Sequence, residues 1–350
     1  MSGDLRISTT LEMGAPLFAA QLKDVLASID GSDCVATVIG YGTMGKQYVK
    51  ALRALGVGRI RVCSRAAEPL AELHGVHGIE TRAGGIEHCS QRAEVNEIGI
   101  LATPTASLHA AAERLIALGF RHLLIEKPVS LWSREIETLA ERCEVQGVEA
   151  HCAYNRVAYP AFHEVRARIA QEGGATSCAY TFTEIIKPDW PQRFPAQELF
   201  RWGIANSLHV MSLAHGLIGL PEQWSGERFG ALPWHPTGAI FVGYGISTRR
   251  IPFTYHADWG STGRWSVEVH TTRSSYRLCP LEQVFQRVAP TADWTEVPVT
   301  AFAPQVKAGV TEQVAAMLDE RLRASLPLMS LRDAAALTRY GEGVFGYDAT

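Results

Sequence analysis

The run Gly40-Tyr41-Gly42-Thr43-Met44-Gly45 constrains this chain more than any other stretch. It follows a short apolar strand, Val35 to Ile39, and opens a helix with Met44, Tyr48, Leu52 and Leu55 on one face. Gly56 is a stop signal for that helix. A lone glycine pattern of this kind is weak evidence, and its place after a strand and before a helix supplies the required context. Gly40 permits the tight turn, Gly42 lets a pyrophosphate approach the backbone, and Gly45 lets helix and strand pack closely. The helix N-terminus then presents its free N–H groups to the phosphates. A glycine turn without a ligand is the alternative.

The segments around the turn repeat a strand–helix rhythm through residue 153. Arg59 to Cys63, Glu97 to Ala102, His122 to Ile125 and Val148 to Ala153 read as strands. Helices read between them: Leu108, Ala112, Leu115 and Leu118 mark one face, and Ser133 to Gln146 forms another. This βαβ order predicts an α/β fold with an N-terminal, Rossmann-type, doubly wound parallel sheet. The pattern changes near residue 155. Pro160 to Gln171 reads as a helix, followed by alternating segments at Ser177 to Glu184, Ala239 to Ile246, Arg250 to Asp258, Arg264 to Thr271 and Ser274 to Cys279. Short polar turns between them predict a large, mostly antiparallel sheet in a C-terminal α+β domain. One long helix is expected over Glu198 to Leu217, and two more over Thr311 to Ala324 and Leu331 to Tyr340. The expected division is a helical arm over 1–32, a dinucleotide domain over 33–154 and a substrate and oligomerisation domain over 155–350, whose last helix packs back on the first domain. In the arm, Phe18 to Ile29 has helical spacing.

Bulk properties exclude several classes. The chain has 350 residues, enough for two domains, and a net charge of -3. That charge leaves no footprint for nucleic acid or an anionic membrane. No apolar run approaches the ~20 residues of a membrane span. Met1 to Pro16 lacks the pattern of a secretory signal. The seven cysteines form no CxxC pair. They fit reduced thiols and a cytoplasmic location, with no metal site expected.

The strand Arg59 to Cys63 continues into Ser64-Arg65. An acid at that place would bind the ribose hydroxyls of NAD. A hydroxyl and a guanidinium suit a 2′-phosphate, which favours NADP(H) with NAD(H) as the alternative.

A second motif lies at two more strand ends. Residues 98–105 read Ile-Gly-Ile-Leu-Ala102-Thr103-Pro104-Thr, a helix containing His109 follows, and the next strand ends Ile125-Glu126-Lys127-Pro128. With the glycine turn, this order and spacing resembles the Gfo/Idh/MocA family of nicotinamide-dependent oxidoreductases. Tyr154-Asn155-Arg156 with Pro160, Cys279-Pro280-Leu281-Glu282 and Lys307-Ala308-Gly309 extend the resemblance over most of residues 34–345. It implies that Thr103-Pro104 lies beside the nicotinamide, that Lys127 reaches the substrate, and that the open face of the second sheet is covered in a homodimer or homotetramer. Without the family, a lysine at the carboxyl end of a parallel strand can still stabilise charge on a substrate oxygen and exchange its proton. A surface pair with Glu126 is the alternative.

The family's usual Asp-x-Gly-x-His-x-x-Asp helix is altered here to Ala205-Asn206-Ser207-Leu208-His209-Val210-Met211-Ser212. His209 matches the histidine, and Asn206-Ser207 resembles a subgroup variant from polysaccharide and secondary-metabolite pathways. Ala205 and Ser212 depart from the acidic positions, so His209 is expected to lack an orienting carboxylate. The alternative for His209 is a core histidine. His215 lies about 240° further round the helix and reads as structural. Asn155, Arg156, Asn206 and Trp190 are further substrate-binding candidates. Trp190 ends the run Glu184 to Trp190, which is either a loop over a sugar face or a plain surface loop, with Lys187 and Asp189 as polar contacts. The remaining tryptophans, 202, 224, 234, 259 and 265, read as core or interface.

The catalytic expectation is therefore Lys127 with His209. The cofactor set is Gly40, Tyr41, Gly42, Thr43, Met44, Gly45, Ser64, Arg65, Ala102, Thr103, Pro104, His109, Glu126 and Lys127. The expected reaction moves hydride to or from a secondary alcohol or ketone of a polar small molecule, a sugar or nucleotide-sugar. Imine reduction and non-catalytic cofactor sensing are the alternatives.

Overall fold

The computed structural model describes residues 6–7 and 14–348. Two sheets organise it. The first has seven strands in the order Met329–Ser330, Glu149–Cys152, His122–Ile125, Ile98–Leu101, Val35–Ile39, Arg59–Ser64 and Ile79–Ala83. All pairings are parallel except that of Met329–Ser330 with Glu149–Cys152. The chain crosses over between Val35–Ile39 and its two neighbours, so a crevice opens at the carboxyl ends there. Strands such as Ile98–Leu101 are buried throughout, as expected of a sheet covered on both faces.

The second sheet has eight strands in the order Pro221–Phe229, Ile240–Ser247, Pro252–Asp258, Ser177–Phe182, Trp265–His270, Ser274–Leu278, Val284–Val288 and Thr295–Val297. Only Pro252–Asp258 with Ser177–Phe182 is parallel. One face carries Tyr180, Phe182, Phe241, Phe253 and Tyr255 and packs on the final helix, Leu331–Phe345, through Tyr340 and Phe345. The other face is open, with Phe229 and Tyr244 exposed. Leu331–Phe345 also packs on Ser133–Val145 of the first sheet's layer, and Arg201 joins them by pairing with Glu342 at 2.6 Å, whose carboxylate also accepts from Ser133.

The predicted α/β fold with a parallel and a mostly antiparallel sheet is present. Several elements differ from the sequence reading. The single helix expected over Glu198 to Leu217 is broken into Ala196–Phe200, a π-helical turn at Gly203–Ser207 and Leu208–Ile218. Its cause is packing: a Cβ at Gly203 would lie 2.2 Å from the Phe345 ring, so the chain meets the last helix backbone-to-ring. The helix expected over Thr311 to Ala324 stops at Leu318, where Asp319 turns out of the helix and caps Glu320–Ser325 from the Arg321 amide at 2.8 Å. Pro221–Phe229 lacks hydrophobic alternation and escaped the reading because it is an exposed edge strand. In the arm, the helix is Ala19–Ala27, while Ile29 pairs with Ile7 in a two-stranded ribbon. The remainder of the arm, residues 1–5 and 8–13, lies outside the described residues.

Among the described residues no disulfide forms, no helix is long and apolar enough to cross a membrane, and no acid, cysteine and histidine cluster is arranged for a metal.

Candidate active site

The glycine turn is fixed by backbone contacts that leave no room for side chains. Gly40 has φ +96°, and a Cβ there would lie 2.4 Å from the Ala102 carbonyl oxygen. A Cβ at Gly45 would lie 1.9 Å from the Gly40 carbonyl oxygen. At Gly42 a Cβ would meet nothing within 4 Å, so that position faces open space at the N-terminus of Thr43–Ala54. Gly40 N–H donates to the Cys63 carbonyl at 2.7 Å, and Ala102 N–H to the Ile39 carbonyl at 2.8 Å, which holds three strand ends level.

A cavity of about 600 Å³ lies over these ends. Gly40, Tyr41, Gly42 and Met44 line it from the turn, and Ser64 and Arg65 from the second strand. Ala102, Thr103 and Pro104 line it from the next strand, and Glu126 and Lys127 from the one after. Thr43, Gly45 and His109 are not among its lining residues. Gly45 serves helix–strand approach, and His109 is half-buried within Thr105–Ala117. The loop after Ile79–Ala83 adds Gly85, Ile86 and Glu87 beside Arg65, which sequence reasoning missed. The cavity fits a dinucleotide: open helix N–H groups and the bare Gly42 at one part, and at another the buried Thr103 Oγ1, which has no partner among the described residues.

Glu126 is held by two donors. Tyr48 Oη donates to its carboxylate at 2.7 Å and the Lys127 amide at 3.1 Å. Burial pushes its carboxyl above the usual range, and Tyr48 and Lys127 oppose that shift. The Lys127–Pro128 bond is cis. Lys127 Nζ donates to the Ala205 carbonyl at 2.9 Å. Burial lowers the Lys127 ammonium below the usual lysine range; Arg156 and Lys307 add to this while Glu126 resists. The residue standing at the altered acidic position thus contributes its backbone carbonyl to the lysine.

His209 is 4% exposed. Its ring meets Tyr154 edge-on at 5.9 Å and Trp265 at 6.2 Å, and its Nδ1 is buried without a partner among the described residues. Burial first, then the charges of Arg156, Lys127 and Lys307, hold it well below the usual histidine range, so the ring is neutral at physiological pH. Arg156 lies over the Trp265 ring at 5.1 Å. Lys307, placed beside Met44 and Gln47, completes a group of three cations near His209.

Three expectations need correction or refinement. Trp190 does not cover a cavity; it is buried against Trp202 at 4.4 Å and Phe194 at 6.1 Å, because its segment folds into a short helical turn, Trp190–Arg193. Asn155 is 2% exposed and its amide is committed within the protein, donating to the Ala308 carbonyl at 2.9 Å and accepting from Arg156 at 3.2 Å. It positions Arg156 and the 307–309 segment. Trp265, read as core or interface, instead borders His209 and Arg156. Asn206 donates to Glu184 at 3.0 Å, next to Ala205, whose carbonyl accepts from Lys127. Glu184 itself was named only as the start of a loop, and nothing in its local sequence signals that the turn before His209 would enclose it. Of the loop's other polar candidates, Lys187 is exposed and Asp189 pairs with Arg193 at 3.4 Å. His215 is structural as read, bonded to the Gly219 carbonyl at 2.9 Å and against Tyr180.

Comparison with known proteins agrees with the fold. Residues 35–154 match the sequence pattern of the Gfo/Idh/MocA family, described as an oxidoreductase family with an NAD-binding Rossmann fold. No curated protein matches the chain in sequence. Among solved structures, the chain is similar to a UDP-N-acetylglucosamine 3-dehydrogenase from Acidithiobacillus ferrooxidans, with 17% identity, 90% of this chain and 97% of that chain covered, and a TM-score of 0.68. A putative myo-inositol dehydrogenase from Sinorhizobium meliloti matches at 16% identity over 90% and 97%, with a TM-score of 0.68. The WlbA dehydrogenase from Bordetella pertussis, in complex with NADH and UDP-GlcNAcA, matches at 12% identity over 90% and 95%, with a TM-score of 0.65. At such identities the likeness establishes the fold.

Proposed function

We propose, from the membership of residues 35–154 in the Gfo/Idh/MocA oxidoreductase family, that this chain oxidises a secondary alcohol or reduces a ketone on a sugar or nucleotide-sugar. The observation that carries this reading is Lys127: a desolvated lysine at a strand's carboxyl end, lining the cavity that fits the dinucleotide. The bound dinucleotide supplies the hydride acceptor or donor. The Gly40–Gly45 turn and the helix N–H groups behind it would hold its pyrophosphate, and Thr103, whose hydroxyl has no partner among the described residues, lines the same cavity. Lys127 polarises the substrate oxygen and exchanges the proton, its lowered basicity bringing it nearer working pH. His209 acts as a neutral hydrogen-bonding partner to the substrate, since its surroundings disfavour the imidazolium. Arg156 and Lys307 lie near enough to Lys127 and His209 to disfavour further positive charge there, a setting suited to hydroxyl-rich or anionic substrates.

The test is turnover by purified protein with NAD(H) and NADP(H) against UDP-N-acetylglucosamine, UDP-GlcNAcA and myo-inositol, together with their keto forms. Cofactor-dependent turnover of one of them is expected. Stoichiometric cofactor binding with no redox change across the panel would overturn the reading.

Ser64 and Arg65 support NADP(H) as the preferred cofactor, Arg65 being exposed at the cavity where it can grip a 2′-phosphate. Arg65→Ser should therefore weaken NADPH binding by about tenfold to a hundredfold and leave NADH nearly unchanged. Titration of cofactor fluorescence checks this, and a wild-type preference for NADH would count against it, Glu87 then being the residue positioned to take ribose hydroxyls.

The open face of the large sheet, with Phe229 and Tyr244 exposed on neighbouring strands, supports a homodimer or homotetramer. Light scattering should give a mass of at least two chains, reduced in Tyr244→Arg. A monomeric wild-type protein would refute it.

A further inference from the structure

A second cavity of about 270 Å³ is lined by Arg156, Glu184, Trp265 and Glu282. Glu184 follows the strand Ser177–Phe182, near the middle of the large sheet, and is 4% exposed. Its carboxylate accepts from Asn206 Nδ2 at 3.0 Å and from Ser207 Oγ at 2.6 Å. Both donors belong to the π-helical turn whose Ala205 carbonyl accepts Lys127 Nζ. Lys127 and Glu184 are therefore tied to three consecutive residues of one turn, Ala205 to Ser207, which ends two residues before His209.

A carboxyl buried only for architecture is a poor choice, because an apolar residue of similar shape is often as stabilising. Asn206 Nδ2 reaches both carboxylate oxygens, at 3.0 and 3.2 Å, and Ser207 one of them, so these neutral donors still leave one of the about four hydrogen bonds a carboxylate can take. Among the described residues, no ion pair within contact distance neutralises Glu184. Arg156 is near enough to favour the charged form but spends a bond on Asn155 and lies over the Trp265 ring. We propose that Glu184 is a substrate-contacting residue, whose carboxylate accepts a hydroxyl of the polar substrate seated beside Arg156 in this cavity. This assignment rests on the oxidoreductase reading and extends it: the substrate must present a hydroxyl to Glu184 besides the group that reacts at Lys127.

Burial raises the Glu184 carboxyl to about 7, while Ser207, Asn206, Trp202 and Arg156 oppose the shift. The other charged groups facing the cavity are Arg264, on the segment entering Trp265–His270, and Glu282, which accepts from Tyr159 at 3.1 Å. The ionised form is the better hydroxyl acceptor, so substrate affinity falls as pH drops through that range.

The experiment compares wild type, Glu184→Gln and Glu184→Asp, using whichever of UDP-N-acetylglucosamine, UDP-GlcNAcA or myo-inositol the wild type turns over. Glu184→Gln should raise KM by about tenfold to a hundredfold above neutral pH, with cofactor affinity and melting temperature close to wild type. Glu184→Asp should recover part of the loss. The wild-type KM should rise on acidification through neutrality, and this dependence should vanish in Glu184→Gln. Should Glu184→Gln fail to fold, a displaced KM–pH profile in Glu184→Asp carries the same expectation, and an undisplaced one refutes it. A Glu184→Gln protein with wild-type KM and pH profile overturns the assignment alone. A wild-type protein without turnover overturns the assignment together with the oxidoreductase reading.

Discussion

Lys127→Ala should lower kcat by about 10²–10⁴-fold while the dinucleotide still binds, the range expected when a proton-transfer group is removed. Lys127 contributes its Nζ to the cavity and its backbone amide to Glu126, and only the first is lost on truncation. The Tyr48–Glu126 bond that supports the strand end stays in place. Lys127→Met, which keeps the length and removes the charge, should be equally inactive; it separates chemistry from packing. The pH dependence has a fixed sign. The folded protein lowers the Lys127 ammonium below 10.5, so the neutral amine becomes available at a lower pH than in a free lysine. Alcohol oxidation, which needs the amine, should then rise with pH through that lowered value. Ketone reduction, which needs the ammonium, should fall through it. Single-turnover rates in both directions check both limbs. A Lys127→Ala protein retaining more than roughly a tenth of the wild-type rate would remove this residue from the mechanism.

The dinucleotide half of the site was legible because its chemistry lies in consecutive residues. Gly40 to Gly45 and Glu126 to Pro128 each sit at one strand end, and the parallel sheet places strand ends side by side whatever the side chains do. The substrate half was less legible because it is assembled from residues far apart in sequence. Glu184, His209, Trp265 and Lys307 come from four separate segments, and the bonds of Glu184 and Lys127 are made to a π-helical turn that no periodicity announces. Trp190 shows the reverse failure. Its polar neighbours implied an exposed loop, yet Trp202, Phe194 and Trp234 enclose it. A local pattern cannot reveal an aromatic cluster whose other members lie up to 44 positions away, from Trp190 to Trp234. His209 sits between these cases. Its helix was anticipated in part, but its protonation state was set by Arg156, Lys127 and Lys307 across space.

Gly45→Ala should abolish measurable dinucleotide binding and destabilise the fold, because its added methyl has nowhere to go. The Cβ would sit 1.9 Å from the Gly40 carbonyl oxygen and 2.9 Å from the Gly40 carbonyl carbon. Gly40 cannot retreat. Its amide is bonded to the Cys63 carbonyl, and its own α-carbon faces Ala102 so closely that a Cβ would lie 2.4 Å from that carbonyl oxygen. The helix Thr43–Ala54 must therefore move outward, at a cost of roughly 1–3 kcal/mol or more for overpacking. That displacement carries Tyr48 with it and loosens its bond to Glu126, so the disturbance reaches the amide of Lys127. It also moves the helix N–H groups away from the phosphates they would hold. Gly42→Ala is the discriminating control. Nothing lies within 4 Å of a Cβ at Gly42, so its melting temperature should match the wild type. Its methyl instead projects into the open space at the helix N-terminus where a pyrophosphate would sit, and only cofactor affinity should fall. Thermal denaturation paired with fluorescence titration of NADH and NADPH reads both effects. If Gly42→Ala bound both cofactors as tightly as the wild type, the pyrophosphate would not lie against this turn. If Gly45→Ala melted and bound like the wild type, the close packing of helix on strand would not be what shapes the cofactor site.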